Sequence, residues 1–115
     1  MSAIRARFGI DKKEVIRKKT EIKELFSDGK RLNFKNLVII YKPDLCSKVG
    51  FFASGKLKGA VKRNRVKRIL REAYRMNKEI FMGFKVIFYA TGLLDANEVL
   101  NAFRVFKKEC FNGRN

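Results

Sequence analysis

The sequence contains no histidine and no tryptophan, and it has one proline and two cysteines among 115 residues. Without histidine, the chain lacks the usual general base and forms no Ser–His or Cys–His nucleophile pair. Cys46 and Cys110 do not have a zinc-binding spacing, so we interpret both as small apolar residues in a reducing compartment. These absences exclude the commonest catalytic and zinc-binding arrangements.

Acidic residues are also few, because 11 acids oppose 28 Lys and Arg residues and leave a net charge of +17. Helix N-terminal electrostatics explain the pairs Glu21/Glu24 and Asp95/Glu98. No segment has the GxxxxGK[ST] spacing of a phosphate-binding loop. We therefore predict that the polypeptide has no catalytic site and no metal site of its own. The excess charge favours a nucleic-acid partner over an acidic membrane.

Long apolar segments are missing as well. The longest runs, residues 37–41 (LVIIY) and 86–90 (VIFYA), are too short to span a bilayer. The first 13 residues have no apolar core of a secretory signal. We therefore expect a cytoplasmic protein with no membrane partner. With 46% apolar residues and 11 Phe, the chain is predicted to fold as one domain, residues 1–115.

Residues 56–78 (KLKGAVKRNRVKRILREAYRMNK) carry much of the positive charge. Ten of them are Lys or Arg and one is acidic, so the segment holds +9 of the total charge. At about 100° per helical residue, one side carries Val66, Ile69, Leu70, Ala73 and Tyr74. The other side carries Asn64, Lys67, Arg68, Arg71, Arg75 and Lys78. Like charges four residues apart destabilise a helix, so this pattern favours phosphate binding over a merely solvated surface.

The remaining patterns predict an α+β sandwich, one sheet with helices packed on it. Residues 1–19 are expected to form a basic, loosely held arm, followed by a helix with Thr20 as N-cap and residues 27–29 (SDG) as its end. Strands are predicted at 31–33, 37–41, 49–53 and 84–91, with the basic helix at about 60–77. Asp95 and Glu98 form a capping box for a closing helix.

A second candidate feature is an apolar set of four residues: Ile22, Phe26, Val38 and Ile40. Ordinary core is the default interpretation of such residues. An aromatic cleft beside cations is, however, typical of proteins that bind single-stranded nucleic acid. Composition alone fits other RNA-binding proteins, such as a ribosomal protein, equally well. A DNA-binding domain is disfavoured because no short helix-turn precedes the basic helix.

Residues 59–73 (GAVKRNRVKRILREA) resemble the signature of the bacterial ribonuclease P protein subunit, A-V-x-R-N-x-x-K-R-x-x-R-[EQ], called the RNR motif. The likeness extends along nearly the whole chain, with a basic arm, a short helix ending in Phe26, Gly29-Lys30-Arg31, Val49-Gly50 and Lys56. The RNR spacing discriminates against the ribosomal alternative. The resemblance implies the order αβββαβα with an unusual left-handed βαβ crossover.

The resemblance also implies function. The family's protein binds a catalytic RNA, and together they remove the 5′ leader from precursor tRNA with magnesium, the RNA performing the chemistry. It implies no small-molecule substrate. The implied RNA-binding residues are Lys56, Lys62, Arg63, Asn64, Arg65, Lys67, Arg68, Arg71 and Arg75. The implied leader cleft contains Ile22, Phe26, Val38 and Ile40.

Two departures from the family pattern bear on these expectations. The family usually has an aromatic residue where Ile22 and Ile40 stand, so more of the base stacking is expected from Phe26. It also usually has glycine where Lys58 stands, whereas this chain has Gly59 one position later. The geometry of the loop before the basic helix is therefore left open.

Overall fold

The computed structural model describes residues 12–112. Helix α1 spans Lys19–Asp28, α2 spans Ala60–Met76 and α3 spans Ala96–Asn112. The strands are β1 (Lys30–Asn33), β2 (Leu37–Pro43), β3 (Lys48–Ala53) and β4 (Phe84–Ala90). Short 3-10 helices occupy Lys12–Glu14 and Lys78–Phe81. The predicted order of helices and strands is confirmed, with boundaries that differ by one or two residues.

The four strands form one mixed sheet in the order β1-β2-β4-β3. Strand β2 pairs antiparallel with both β1 and β4, whereas β3 runs parallel to β4. Parallel neighbours require a crossover connection, and α2 supplies it. The βαβ unit implied by the resemblance is thus present, while its left-handedness stays a prediction.

One face of the sheet carries the main core. Phe51 of β3 and Phe88 of β4 stack with ring centroids 5.7 Å apart. Helices α2 and α3 cover them with fully buried side chains, including Leu70 and Phe103. Because aromatic side chains bury the most apolar area per residue, this Phe-rich layer fixes α2 against the sheet and leaves its opposite side in solvent.

The other face of the sheet is covered only by α1 and the segment before it. Leu25 of α1 packs on Ile40 and Ile87, and Ile16 joins the same cluster. Gly29 ends α1 with an ordinary φ of −69°, so left-handed backbone is not the reason for glycine here. A Cβ atom at this position would lie 2.5 Å from the Leu25 carbonyl oxygen, so close packing requires glycine.

The start of α1 differs from the prediction. The helix begins at Lys19 with Lys18 as N-cap, and no side chain caps it. Thr20 therefore lies inside the first turn. The segment preceding the helix is held against β3, because Val15 pairs with Val49 and the Ile16 amide donates to the Val49 carbonyl at 2.9 Å. The rest of the predicted arm, residues 1–11, lies outside the described residues.

Two further local predictions have different outcomes. The capping box of α3 is confirmed, since the Glu98 amide donates to Asp95 Oδ1 at 2.8 Å and the Asp95 amide donates to Glu98 Oε1 at 3.3 Å. The interpretation of Cys46 as an apolar filler is wrong. It is exposed in the β2–β3 turn, where its amide donates to Asp44 Oδ1 at 2.8 Å. Cys110 is partly buried against the core, and no disulfide joins the two cysteines.

Candidate nucleic-acid interface

Helix α2 presents most of its cations to solvent and its central apolar stripe to the core. Val66, Leu70 and Tyr74 are buried. The exposed members of the predicted RNA-binding set are Lys56, Lys62, Asn64, Arg65, Arg68 and Arg71, and the half-buried members are Arg63, Lys67 and Arg75. Arg65 and Arg68 line an open depression of about 420 Å³ together with Val61 and Asn64. The helix therefore offers arginine side chains beside a concave surface, which suits planar recognition of phosphate.

Some of these cations are oriented by the protein itself. The Arg63 guanidinium donates to the Leu57 carbonyl at 3.3 Å, and that of Arg71 lies 5.7 Å from the centroid of the Phe51 ring. Arg75 pairs with Glu72 at 2.7 Å, and this hydrogen bond lowers the pKa of the Glu72 carboxyl. Charge is thus less available to a ligand at Arg75 than at Arg68.

The cationic row is shorter at its C-terminal end than the sequence pattern predicts. Lys78 lies beyond α2 in a 3-10 helix, and its ammonium group pairs with Glu14 Oε1 at 2.9 Å. Tyr74 donates to the other oxygen of the same carboxylate at 3.2 Å. Glu14 therefore ties the segment before α1 to the end of α2, and Lys78 serves that contact.

The loop that enters α2 contains a required glycine. Gly59, the N-cap residue, has φ of +90°, a conformation in which side chains with a Cβ atom are strained. Lys58 is exposed and does not need such backbone. Leu57 is buried and anchors the loop, and the Lys56 amide donates to Ser54 Oγ at 3.2 Å. The shifted glycine is therefore accommodated, and Lys56 and Lys58 add cations next to the helix.

A partly exposed aromatic surface, which we call the aromatic groove, lies on the opposite face of the sheet, beside α1. The β-sheet register places four residues in one row across the strands: Asn33, Val38, Tyr89 and Phe52. From α1, the Phe26 ring stands edge-on to Phe52 at 6.5 Å and to Tyr89 at 6.1 Å between centroids. Phe26, Val38, Phe52 and Tyr89 are each half-buried. Exposed ring surface next to a flat strand row is typical of sites on which nucleobases stack.

The residues predicted for the cleft have unequal access to this groove. Phe26 and Val38 contribute surface directly, and Ile22 is half-buried next to them. Ile40 is fully buried beneath α1, so it supports the floor without exposing a contact. Sequence reasoning missed Phe52 and Tyr89. Strand alternation carries the signal for Phe52, because it must face opposite to the core residue Phe51.

A cation of β1 borders the groove. Arg31 on β1 donates to the Phe26 carbonyl at 2.6 Å, and its guanidinium lies 5.9 Å from the centroid of the Phe26 ring. Arg31 is exposed. A strand stacked on Phe26 would therefore have a phosphate-binding group beside it.

Strand β3 connects the two surfaces. Phe51 lies under Arg71 on the α2 side, and the next residue, Phe52, lies in the aromatic groove on the other side. Strand β3 lies at one edge of the sheet, and the segment before α1 covers part of that edge at Val49. The two candidate binding surfaces thus lie on opposite faces of the sheet and are joined through adjacent residues of β3.

The acidic residues near α1, Glu21 and Asp44, do not fit a magnesium site. Glu21 and Asp44 both pair with Lys85, at 2.8 and 3.4 Å, and Glu21 also lies 3.5 Å from Lys48. Within residues 12–112 there is no cluster of three or more His, Cys, Asp or Glu residues arranged to hold a metal ion. The same part of the chain contains no helix that is both long and apolar enough to cross a membrane.

A cationic helix and an aromatic groove on one small α+β domain are the features of an RNA-binding protein. The family model for ribonuclease P matches residues 10–109 of this chain. The chain belongs to the ribonuclease P protein family. The family predicted from the RNR motif is therefore confirmed, and membership implies RNA partners and a role in an endoribonuclease.

Related proteins support this assignment. The ribonuclease P protein component of Petrotoga mobilis is 38% identical over 89 residues, which cover 75% of this chain and 75% of that protein. That of Desulfotalea psychrophila is 38% identical over 77 residues, covering 65% of this chain and 64% of the relative's length. The second match thus spans somewhat less than two thirds of the relative.

Solved structures show the same fold. The RNase P protein from Staphylococcus aureus superposes with a TM-score of 0.70 at 22% identity, covering 85% of this chain and 92% of the other. The RNase P protein from Thermotoga maritima has a TM-score of 0.63 at 25% identity, covering 86% and 93%. The predicted α+β architecture is confirmed by these neighbours.

Proposed function

We propose that this chain is the protein subunit of a ribonuclease P, in which α2 binds the catalytic RNA and the aromatic groove binds the 5′ leader of precursor tRNA. The observation that carries the proposal is the position of β3, which joins an arginine-bearing surface at Phe51 to an aromatic surface at Phe52. Cations favour a folded RNA with dense phosphates. Stacking surfaces favour an unpaired strand whose bases are accessible.

In this proposal the protein contributes binding and the RNA contributes chemistry. The chain has no histidine, and Glu21 and Asp44 are engaged with lysines. Magnesium is accordingly assigned to the RNA, where it would supply the Lewis acid and the activated water for hydrolysis. The residues of this chain would hold the leader in extended form and neutralise phosphates near the cleaved bond. Location in the cytoplasm remains a prediction.

The test is reconstitution with the ribonuclease P RNA of the same organism and a precursor tRNA that carries a leader of several nucleotides. At low magnesium concentration, we expect the protein to accelerate cleavage by the RNA and to produce the mature 5′ end. The acceleration should decrease as magnesium rises, because metal ions then replace protein cations in neutralising phosphate.

Two controls make this test decisive. Protein freed rigorously of RNA should produce no mature 5′ end, and specific cleavage by that sample would contradict the assignment of chemistry to the RNA. A mature tRNA without leader should gain little affinity from the protein. If the protein raised affinity for mature and precursor tRNA equally, the leader-binding role of the groove would be excluded.

A further inference from the structure

A second concave surface lies next to the RNA-binding side of α2. It is an open groove of about 360 Å³ between the C-terminal half of α2 and the start of α3. Its described lining is mainly apolar and includes Ile69, Met76, Ala96 and Leu100, together with Arg68 and Glu72. Met76 is 60% exposed and Leu100 is 39% exposed. Two large apolar side chains thus remain in water at the mouth of one groove.

Arg68 links this groove to the basic surface. It lines both the apolar groove and the depression formed with Val61, Asn64 and Arg65. An RNA phosphate bound at Arg68 would therefore place the attached nucleoside at the entrance of the groove. The guanidinium group is planar and stacks on bases, so Arg68 can form one wall against which a base lies flat.

The remaining walls also match a nucleobase. Met76 and Leu100 offer apolar surface to the other ring face, and methionine adapts to irregular shapes. Glu72 stands at the rim, where its carboxylate accepts a hydrogen bond from Arg75 at 2.7 Å. A carboxylate at this position can also accept from an exocyclic amino group of a base. A nucleobase has apolar ring faces and polar groups at its edge. It is therefore complementary to a groove that combines Met76 and Leu100 with the carboxylate of Glu72.

Charge argues against a second copy of the chain as the occupant. Each molecule carries +17, and the groove lies beside Arg68 and Arg75. Bringing two such faces together would oppose like charges. A polyanion has the opposite preference, because the same cations attract its backbone and bring its bases to the groove.

We propose that the groove between α2 and α3 binds an unpaired nucleobase of the RNA held by α2, stacked between Arg68 and the side chains of Met76 and Leu100. This inference rests on the proposed RNA-binding role of α2. It adds a base-dependent contact on the face of the sheet opposite the aromatic groove of Phe26, and so a second point at which the protein distinguishes single-stranded from paired RNA.

The test separates base contacts from phosphate contacts. Binding of the full-length protein is measured to an unstructured RNA oligonucleotide and to inorganic polyphosphate of matched charge, which has no bases. The double variant Met76→Gln/Leu100→Gln keeps helix propensity and length. It should bind the RNA about fivefold more weakly, the effect of leaving roughly 40 Å² of apolar surface uncovered, and should bind polyphosphate unchanged. Arg68→Ala should weaken both.

Met82→Gln is the matched control, because Met82 is 68% exposed and lies outside the groove. It should leave both affinities unchanged. If the double variant bound RNA normally while Arg68→Ala bound it more weakly, base binding in the groove would be excluded and the RNA-binding role of α2 would stand. If Arg68→Ala also bound both probes normally, the RNA-binding role of α2 and the groove would fail together. Self-association of the wild type that the double variant abolishes would assign the groove to a second copy and overturn the inference.

Discussion

The rings of Phe26 and Tyr89 meet edge to face, with centroids 6.1 Å apart and planes at 88°. This contact joins α1 to β4 and belongs to the smaller apolar cluster of the outer sheet face. Both rings are nevertheless half-buried, so each still presents surface to solvent. Phe26 is therefore both a packing residue and a candidate base-stacking residue, and the two roles need separate measurements.

Replacement of Phe26 should separate these roles. A stacked base is worth roughly 1–3 kcal/mol by alanine substitution, so Phe26→Ala should weaken holoenzyme binding to leader-bearing precursor tRNA by this amount. Phe26→Leu removes the ring but keeps most of the apolar volume, and it should weaken leader binding similarly while losing less stability. The free energy of unfolding and the affinities for precursor tRNA and for mature tRNA are measured on each variant.

The pattern across these substrates decides the outcome. Mature tRNA binding should stay nearly constant in both variants. A loss of several kcal/mol in stability with equal weakening toward precursor and mature tRNA would show that Phe26 is structural. Normal leader binding by Phe26→Leu would show that the ring itself is not used.

The basic helix should act on affinity through phosphate contacts. Replacing Arg68 and Arg71 by Ala should weaken RNA binding and lower its salt dependence by about one unit of logarithmic slope per lost phosphate contact. Thermal stability should stay level or rise slightly as repulsion is relieved. Arg71 also covers the Phe51 ring. Of the two single variants, Arg71→Ala is therefore expected to be less stable than Arg68→Ala.

The exposed Arg104 on α3 provides the charge-matched control, because Arg104→Ala removes one cation outside the RNR motif. It should change the slope less than Arg68→Ala does. Equal slopes for Arg104→Ala and Arg68→Ala would mean that only overall charge matters. If the variant with both Arg68 and Arg71 replaced by Ala kept its RNA affinity and the slope of its salt dependence, α2 would not be part of the RNA-binding surface.

The main elements of this fold follow from local patterns in the sequence. Apolar residues at helical spacing placed Val66, Leu70 and Tyr74 in the core, and a complete capping box marked the start of α3. These signals depend on residues close together in the chain. The predicted start of α1 is two residues late, because the prediction relied on a capping side chain and no side chain caps that helix.

The candidate site was only partly predictable, because the groove depends on strand register. Ile40 and Val38 are two residues apart on one strand face, yet α1 buries Ile40 completely and leaves Val38 accessible. Phe52 and Tyr89 reach the groove only because β3 pairs with β4 in the observed register. The helical pattern also predicts Lys78 in the cationic row, but Lys78 lies beyond α2 and pairs with Glu14.

The contact between Glu14 and Tyr74 should stabilise the segment before α1. Burial and the nearby carboxylate raise the pKa of the Tyr74 phenol, which therefore remains a donor to Glu14 at 3.2 Å. Tyr74→Phe keeps the ring and removes the hydrogen bond, so it should lower the free energy of unfolding by about 1 kcal/mol. Glu14→Ala should cost more, because it also removes the ion pair with Lys78.

A double-mutant cycle isolates this contact. The losses from Tyr74→Phe and Glu14→Ala should not add, and a coupling of about 1 kcal/mol is expected in denaturant unfolding. Additive losses would show that the hydrogen bond contributes nothing. Lys78→Met in the Glu14→Ala background serves as a further control, since it should cost less there than in the wild type.

The ion pair between Glu21 and Lys85 should make stability depend on pH at both extremes. The hydrogen bond from Lys85 lowers the pKa of Glu21 from 4.5, and the same bond raises the pKa of Lys85 from 10.5. The contribution of Glu21 to the free energy of unfolding is complete above pH 4.5 and is lost as pH falls through its lowered folded-state pKa. The lysine's contribution is complete below pH 10.5 and is lost as pH rises through its raised folded-state pKa.

Replacing Glu21 by Gln should therefore lower the free energy of unfolding by about 1 kcal/mol at neutral pH. The difference from wild type should shrink below pH 4.5, where the wild-type carboxylate becomes protonated, and it should also shrink at high salt. Glu24→Gln is the matched control, because it removes an exposed acid from the same helix and should change stability less. Urea unfolding across pH checks the prediction. A constant difference between Glu21→Gln and wild type down to the lowest pH that the fold survives would show that the charge of Glu21 does not stabilise α1 against the sheet.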